Sequence, residues 1–361
     1  MRLNNKYVIG TMVQFYELEM LPEHMKSCAG MLKNIENKEN VTFVFYLSTQ
    51  QHLETIDRDY FKTRYPEIST QLYTEFLDTF VGETFKSIIM ADTDLYPANL
   101  RYELSYDIKS KRSSSEDDEF YNIAAFRRDF TWEWSDKADV ILWGETDSLW
   151  PSQTLMLIDG LHEQVKNVTP KYIVNFADRV LWDNSFAPLH PMYEGIRFVD
   201  DGVWQFENPA SGKSYMSYEE MEEINSEIDV VKTVSFNVPR FDGSCVGFTS
   251  DLLCSGVTLP KSLILHSEDV AMGTIAKRIM GDNFVQYNFS NILHVHNRRH
   301  PKKRTGILNE NNARGNCTIK DKGMWWQILE QASKHNHYTL FNQSKVQSLK
   351  KTMALIHETR K

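Results

Sequence analysis

Five short and almost continuously apolar runs constrain the fold of this chain more than any other feature. They are Tyr7–Gly10, Val41–Leu47, Ser87–Ala91, Val140–Trp143 and Tyr172–Asn175. Several have no polar face, which is typical of strands that are covered on both sides of a sheet. Between the runs lie stretches with apolar residues at helical spacing, namely His24–Leu32, Ile68–Phe80, Phe120–Trp134 and Thr154–Glu163. Strands that alternate with helices predict an α/β fold with a mostly parallel sheet flanked by helices.

Length and composition agree with a globular enzyme. With 361 residues, of which 41% are hydrophobic, the chain can bury one large core. No apolar run reaches the roughly 18 residues of a membrane helix, and the first residues lack the apolar core of a secretory signal. Four scattered cysteines are too few for a disulfide scaffold. We therefore expect a cytoplasmic protein without a membrane span.

Two segments depart from the α/β pattern. Residues 176–238 are rich in Pro, Gly and aromatic residues, and we interpret them as an irregular insertion that shapes a pocket mouth. Residues 305–361 read as a basic, helical C-terminal extension. The predicted organisation is thus one α/β domain over residues 1–304, followed by that extension.

Paired acidic residues follow one of the apolar runs. Glu145 and Asp147 come directly after Val140–Trp143, and side chains two apart on an extended backbone point the same way. Such carboxylates can share a divalent cation, and Mg²⁺ is commonly held by one or two carboxylates together with substrate phosphate oxygens. A second pair, Asp92 and Asp94, follows Ser87–Ala91 and could be the metal motif instead.

Three further motifs carry reactive groups later in the chain. FDGSCVGFTSDLL, residues 241–253, is a turn or strand punctuated by glycine. In HSEDVAMGTIAKRI, Glu268 and Asp269 stand before a helix, where they could also be ordinary helix-capping residues. In NILHVHNRRHPKKR, His294 and His296 share one strand face and several basic residues follow. Imidazole is a common metal ligand, and Arg and Lys bind diphosphate.

The order of these motifs resembles that of GT-A type glycosyltransferases, nearest to family 2 and to related polypeptide-modifying enzymes. The matching pieces are Tyr7–Val13, GETDSLWP, SEDVAMG and HVHNRR, so the resemblance spans roughly residues 5–304. It departs from the family pattern in having Glu145 where Asp is usual, and two candidate histidines instead of one.

The resemblance implies a metal-dependent, inverting transfer of a hexose or pentose from a nucleotide-sugar such as a UDP-sugar. It implies Asp269 as the general base, with Glu268 orienting the base or the acceptor. Mn²⁺ or Mg²⁺ would be held by Glu145, Asp147 and the histidines His294 and His296. The predicted donor-binding residues are Thr11, Asp92, Arg127, Arg128, Arg298 and Arg299. The family layout favours Glu145 and Asp147 over the earlier pair as the metal motif, and it leaves Asp92 on the nucleotide side.

Charge segregation suggests the acceptor. Residues 296–361 hold 14 Lys and Arg against 4 Asp and Glu, a net +10 in a chain of net −9. Trp325, Trp326 and Tyr338 are interleaved with these charges, a combination suited to nucleic acid. The Lys/Asn/Met-rich chain also resembles phage proteins, so one acceptor is a hydroxymethylated base in phage DNA, flipped from the stack.

Other readings remain open from the sequence. The acceptor could instead be a saccharide, a lipopolysaccharide or a protein hydroxyl. A metallophosphoesterase could use His294 and His296 around two metals. A catalytically inactive protein of this fold could bind nucleic acid through its basic end.

Overall fold

The structure is a computed structural model. It describes residues 1–14, 17–48, 82–91, 93–95, 97–104, 123–181, 186–188, 215–241, 243–260, 263, 268–297, 300, 331 and 335. Its strands are β1 (Tyr7–Gln14), β2 (Val41–Ser48), β3 (Asn99–Leu104), β4 (Val140–Glu145), β5 (Ser148–Leu149), β6 (Tyr172–Leu181), β7 (Phe186–Pro188), β8 (Thr233–Phe236), β9 (Cys245–Thr249) and β10 (Val285–His296). Its α-helices are α1 (Leu21–Leu32), α2 (Gly82–Ala91), α3 (Ile123–Trp134), α4 (Thr154–Val165), α5 (Tyr218–Ser226), α6 (Ser250–Cys254) and α7 (Glu268–Met280).

The described strands form one mainly parallel sheet. Its order is β3-β2-β1-β4-β9-β6-β10-β5, with β7 beside β6 and β8 beside β10. Strands β1 to β4 are parallel, and so are β6 and β10, whereas β9 lies antiparallel between β4 and β6. The carboxyl ends of β1 to β4, β6 and β10 therefore meet at one edge of the sheet. The predicted α/β class is confirmed.

Both faces of the sheet are covered, as the apolar strand sequences require. On β1, Tyr7 and Ile9 face one hydrophobic core, which includes buried residues of α1 and α4. Val8 and Met12 face the other core, which includes buried residues of α3 and α7. This alternation follows from the two-residue period of a strand. The described molecule is therefore a sheet between two helical layers.

Helix α3 lies close to β1 because Gly10 has no side chain. A Cβ at Gly10 would stand 2.5 Å from the Phe130 ring, which therefore packs directly on the strand backbone. The buried positions of α3 recur three and four residues apart and include Phe126, Arg127 and Phe130. This packing carries Arg127 toward the end of β4.

A buried carboxylate joins α4 to the start of β1. Asp159 accepts hydrogen bonds from the backbone N–H groups of Asn4 and Asn5, from their side-chain amides, and from the Tyr7 hydroxyl at 2.9 Å. Its side chain is fully buried. These bonds hold the N-terminal segment beside the core strand β1.

One prediction about secondary structure was wrong. The run Ser87–Ala91 is not a strand but the end of helix α2, which buries Gly82, Phe85 and Ile89 at helical spacing. Within the predicted insertion over residues 176–238, the described residues include regular elements: β6 continues to Leu181, and α5 begins with a capping box made by Ser217 and Glu220. Residues 227–232, between α5 and β8, form no helix or strand, and the insertion as a whole stays a prediction.

Several other predictions lie outside the described residues. They include the helix over Ile68–Phe80, the middle of the predicted insertion, and the extension over residues 305–361 apart from residues 331 and 335. The domain boundaries therefore stay predictions. Among the described helices, none is long and apolar enough to cross a bilayer.

Candidate active site

The predicted reactive residues gather at the carboxyl edge of the sheet. Glu145 ends β4 and His296 ends β10, while Gly243 and Ser244 lead into β9 at the same edge. In open α/β sheets, ligands bind in the crevice outside the carboxyl ends of the strands. These residues therefore lie where binding sites form in sheets of this kind.

Glu145, Asp147 and His296 form a group that could hold a metal ion. The Nε2 atom of His296 lies 3.2 Å from Oε2 of Glu145 and 3.3 Å from Oδ1 of Asp147. One candidate ligand atom from each residue lies within 4.8 Å of the others. Ligands bonded at about 2.1 Å around an octahedral cation are roughly 3 Å apart, so these separations suit one divalent ion. Within the described part of the chain, no other group of three potential ligands was found.

A turn, and not an extended strand, brings the two carboxylates together. Thr146 and Asp147 form a turn between β4 and β5, so the predicted reason for their convergence was wrong although they do converge. The turn is held by hydrogen bonds from Thr146 Oγ1 to the Met12 carbonyl at 3.3 Å and from the Asn297 N–H to the Asp147 carbonyl at 2.6 Å. Strand β5 pairs antiparallel with β10, which sets His296 opposite Ser148.

His24 forms a hydrogen bond with the residue that follows this turn. Its Nδ1 lies 2.6 Å from the Ser148 carbonyl, which can only accept, so Nδ1 carries a proton and donates. Nε2 then accepts from the Thr11 hydroxyl at 2.9 Å. Burial lowers the pKa of His24 to about 4, so the ring is neutral at pH 7. Thr11 is itself buried, and its predicted contact with the donor stays a prediction.

His294 does not join the metal group. Its Nε2 lies 3.1 Å from the Ser244 hydroxyl, and both residues are buried. The structure thus brings together three of the four predicted metal ligands.

Arg127 joins the metal group to the acidic pair. Its guanidinium donates to Oε1 of Glu145 at 2.7 Å and to Oε1 of Glu268. Burial alone would raise the pKa of Glu145, but the neighbouring imidazole of His296 and the charge of Arg127 hold it below its usual value. Burial raises the pKa of Glu268, to about 7, against the opposing effect of Arg127.

Asp269 is more accessible than Glu268. It is half-buried in the first turn of α7, where its Oδ1 accepts the Val270 N–H at 2.7 Å. Its neighbour Glu268 has a side chain only 8% exposed and paired with Arg127. Of the acidic pair, Asp269 is therefore the more accessible carboxylate.

The remaining predicted residues are less informative. Arg128 pairs with its neighbour Asp129, with 3.1 Å between Nε and Oδ1, and its contact with the donor stays a prediction. Asp94 is exposed in a short 3₁₀ turn after α2, so the strand on which the second metal motif depended is absent there. Asp92, Arg298 and Arg299 lie outside the described residues.

Two residues important for this geometry escaped the sequence analysis. His24 occupies a buried position of the amphipathic helix α1, and that periodicity indicates burial without identifying its partners. Gly243 accepts a hydrogen bond from Arg127 through its carbonyl. The glycine-punctuated motif indicated a turn there but not the approach of a guanidinium.

No protein-family model and no curated protein sequence matches the chain. Solved structures are similar at a low level. TarS of S. aureus, residues 1–349, has a TM-score of 0.41 and 10% identity over 94% of this chain and 73% of that chain. The mannosyltransferase PcManGT from Pyrobaculum calidifontis, in complex with GDP-Man and Mn²⁺, has a TM-score of 0.44 and 12% identity over 98% of this chain and 68% of that chain. GalNAc-T7 with UDP, GalNAc and Mn²⁺ has a TM-score of 0.40 and 10% identity over 92% of this chain and 50% of that chain. At these values the similarities assign neither a ligand nor an activity to this chain.

Proposed function

We propose that this chain is a metal-dependent glycosyltransferase that uses a nucleotide-sugar donor. The observation that carries the proposal is the group of Glu145, Asp147 and His296 at the carboxyl edge of the sheet, linked by Arg127 to the start of α7. Two carboxylates and one imidazole suit a cation that also takes phosphate oxygens from a ligand. The motif order that resembles GT-A enzymes supplies the sugar-transfer chemistry.

The donor diphosphate is proposed to bind beside the metal group. A bound cation would neutralise charge on the leaving nucleotide, as a Lewis acid does at a phosphoryl oxygen. Glu145 and Asp147 hold their carboxylates toward that position, and His296 would offer Nε2 as a deprotonated ligand. The imidazole favours Mn²⁺ over Mg²⁺, which prefers oxygen ligands alone. Thr11, Asp92, Arg128, Arg298 and Arg299 remain the proposed donor contacts. Arg127, which the sequence predicted with them, is buried against Glu145 and Glu268, so we do not propose that it contacts the donor.

Asp269 is proposed as the general base. Its accessible carboxylate would take the proton from an acceptor hydroxyl that attacks the anomeric carbon, which inverts the configuration there. Glu268 cannot easily take this role because its carboxylate is buried against Arg127. Its proposed role is to hold the first turn of α7.

Our proposal for the acceptor rests on the charge of the C-terminal segment. The net +10 of residues 296–361 favours a polyanion, and a hydroxymethylated base in phage DNA is our first proposal. A saccharide, a lipopolysaccharide or a protein hydroxyl is the alternative. A phosphoesterase with two metals is less favoured, because the described residues offer one three-ligand group.

Nucleotide release separates these possibilities. The protein would be incubated with Mn²⁺ and a panel of UDP- and GDP-sugars, with hydroxymethylated DNA, unmodified DNA or an oligosaccharide as acceptor. A transferase releases nucleoside diphosphate from one donor, and a matched acceptor stimulates the release. Phosphate release without sugar transfer would instead indicate a phosphoesterase, and Asp147→Asn controls for a contaminating activity.

The DNA acceptor makes a separate, salt-dependent prediction. Replacing Lys345, Lys350 and Lys351 with Ser should lower DNA affinity, leave donor affinity unchanged and flatten the plot of log K against log salt. Each lost phosphate contact should reduce the slope by about 0.9 on duplex DNA. Replacing Lys302 and Lys303 with Ser is the comparison. If these two residues bind the donor, this change should lower donor affinity and leave DNA affinity unchanged. An unaltered slope, or no DNA binding by the wild type at low salt, would rule out the DNA acceptor.

A further inference from the structure

Arg127 is a buried cation that touches three separate segments. Its side chain is 1% exposed, and it donates to Glu145 at the end of β4 and to Glu268 at the start of α7. A third hydrogen bond of 2.5 Å goes to the carbonyl of Gly243, just before β9. A buried charge is tolerated only when it is paired and hydrogen-bonded. The three segments therefore depend on this side chain for their relative positions.

The cavity around Arg127 is shaped to a guanidinium. A Cβ at Gly243 would lie 2.0 Å from Nη1 of Arg127, so no residue with a side chain fits there without moving the arginine. The Arg127 Cζ atom also lies 4.9 Å from the centroid of the Trp143 ring, and the Trp143 N–H is fixed by the Thr131 hydroxyl at 2.9 Å. Lys could supply the charge here but not the planar fork that reaches both carboxylates.

The two oxygens of Glu145 have different partners. Oε1 accepts from Arg127, whereas Oε2 faces His296 at 3.2 Å. The contact with Arg127 therefore decides which oxygen is turned toward the candidate metal position. The same guanidinium holds Glu268, the residue before Asp269.

We propose that Arg127 is a positioning residue, which orients Glu145 as a metal ligand and holds the first turn of α7 beside the metal group, and that it does not contact the donor. The orientation of Glu145 as a metal ligand rests on the proposed function, whereas the contacts of Arg127 with Glu268 and Gly243 do not depend on it. Partners that orient a metal ligand typically contribute roughly 10- to 100-fold to metal affinity. A cation beside Glu145 also repels a bound metal ion, and Arg127→Lys keeps that charge, so weaker metal binding by this variant would reflect lost orientation of Glu145.

Two substitutions perturb Arg127 in different ways. Arg127→Lys keeps the charge and loses the fork, while Gly243→Ala keeps the arginine and displaces it. The controls match each chemistry. Arg101→Lys alters an arginine paired with Glu133 on the surface, and Gly160→Ala adds a Cβ with no atom within 4 Å.

The measurement is Mn²⁺ affinity in the absence of any nucleotide-sugar, by the electron paramagnetic resonance signal of free Mn²⁺. We expect roughly 10- to 100-fold weaker binding for Arg127→Lys and Gly243→Ala, and no change in the two controls. Unchanged Mn²⁺ affinity in both test variants, with weaker donor binding for Arg127→Lys alone, would overturn the proposal in favour of a direct donor contact.

Hydrogen exchange in the first turn of α7 gives a second readout that needs no metal. Both test variants should lose protection of the backbone amides of residues 271–273, and the controls should not. Wild-type protein that binds no Mn²⁺ would refute the proposed function. Separately, unchanged hydrogen exchange of these amides in both test variants would refute the proposal that Arg127 holds the first turn of α7.

Discussion

The buried ring of His24 should make the folded protein sensitive to mild acid. Burial lowers its pKa from 6.5 to about 4, whereas the unfolded chain titrates near the ordinary value. Between these values the unfolded state binds the extra proton, so stability falls as the pH is lowered through this range. From pH 7.5 to pH 5 the lost free energy of unfolding is about 2 kcal/mol for this one group. Protonation of Nε2 also removes the acceptor for the Thr11 hydroxyl, one of the two hydrogen bonds that hold His24 beside the turn at Asp147.

The effect of His24 is isolated by comparing pH profiles of urea unfolding with EDTA present. At pH 7.5, His24→Gln should be less stable than the wild type by about 1–3 kcal/mol, because glutamine only partly reproduces the hydrogen bonds of the imidazole with Ser148 and Thr11. The gap should narrow by about 2 kcal/mol on going to pH 5, since the variant has no imidazole to titrate. Thr11→Val keeps the buried ring and should keep the wild-type pH dependence. Parallel curves for the wild type and His24→Gln would refute the reasoning.

Four other substitutions test separate parts of the molecule. Asp147→Asn should leave the fold intact but abolish Mn²⁺-dependent binding of nucleoside diphosphate in calorimetry, whereas Asp94→Asn should have a milder effect; the reverse ranking would move the metal site. Asp269→Asn should lower turnover by roughly 10²- to 10⁴-fold with little change in donor affinity, and retention of configuration in the product by NMR would contradict the proposed base. Asp159→Asn should lower the free energy of unfolding by about 2–3 kcal/mol, because charge-assisted hydrogen bonds to the N-terminal segment are weakened. The Asp159→Asn variant should bind Mn²⁺ with the affinity of the wild type, because its effect is on stability alone.

The fold class followed from the sequence because burial on both sides of a sheet leaves a local pattern. Four of the five predicted strands occur within the observed β1, β2, β4 and β6. The fifth, Ser87–Ala91, belongs to a helix, because a five-residue apolar run fits either element. Phe85, four residues before Ile89 on the same buried face, is the residue that argues for a helix. The antiparallel insertion of β9 between β4 and β6 had no local signal, since strand order depends on long-range pairing.

The candidate site was predictable in its residue types and not in its contacts. Glu145, Asp147 and His296 were all chosen from local motifs, but their convergence depends on a turn at Thr146 and on the pairing of β10 with the two-residue strand β5. His294 was equally plausible in sequence because it shares a strand face with His296. Only the register of β10 separates the two, since it sets His296 opposite Ser148 and leaves His294 against Ser244.

Arg127 contacts both Glu145 and Glu268 because the segments that carry the three residues meet at one edge of the sheet. Strand β4 delivers Glu145 to the edge of the sheet, and α3, packed on Gly10, brings Arg127 to that edge from the next layer. The N-terminus of α7 arrives there carrying Glu268 and Asp269. A helix N-terminus favours carboxylates, so two adjacent acids are stable at this place without any substrate. Glu268 is buried against Arg127 whereas Asp269 is half-buried, so Asp269 is the more accessible of the two carboxylates and the one that we propose as the general base.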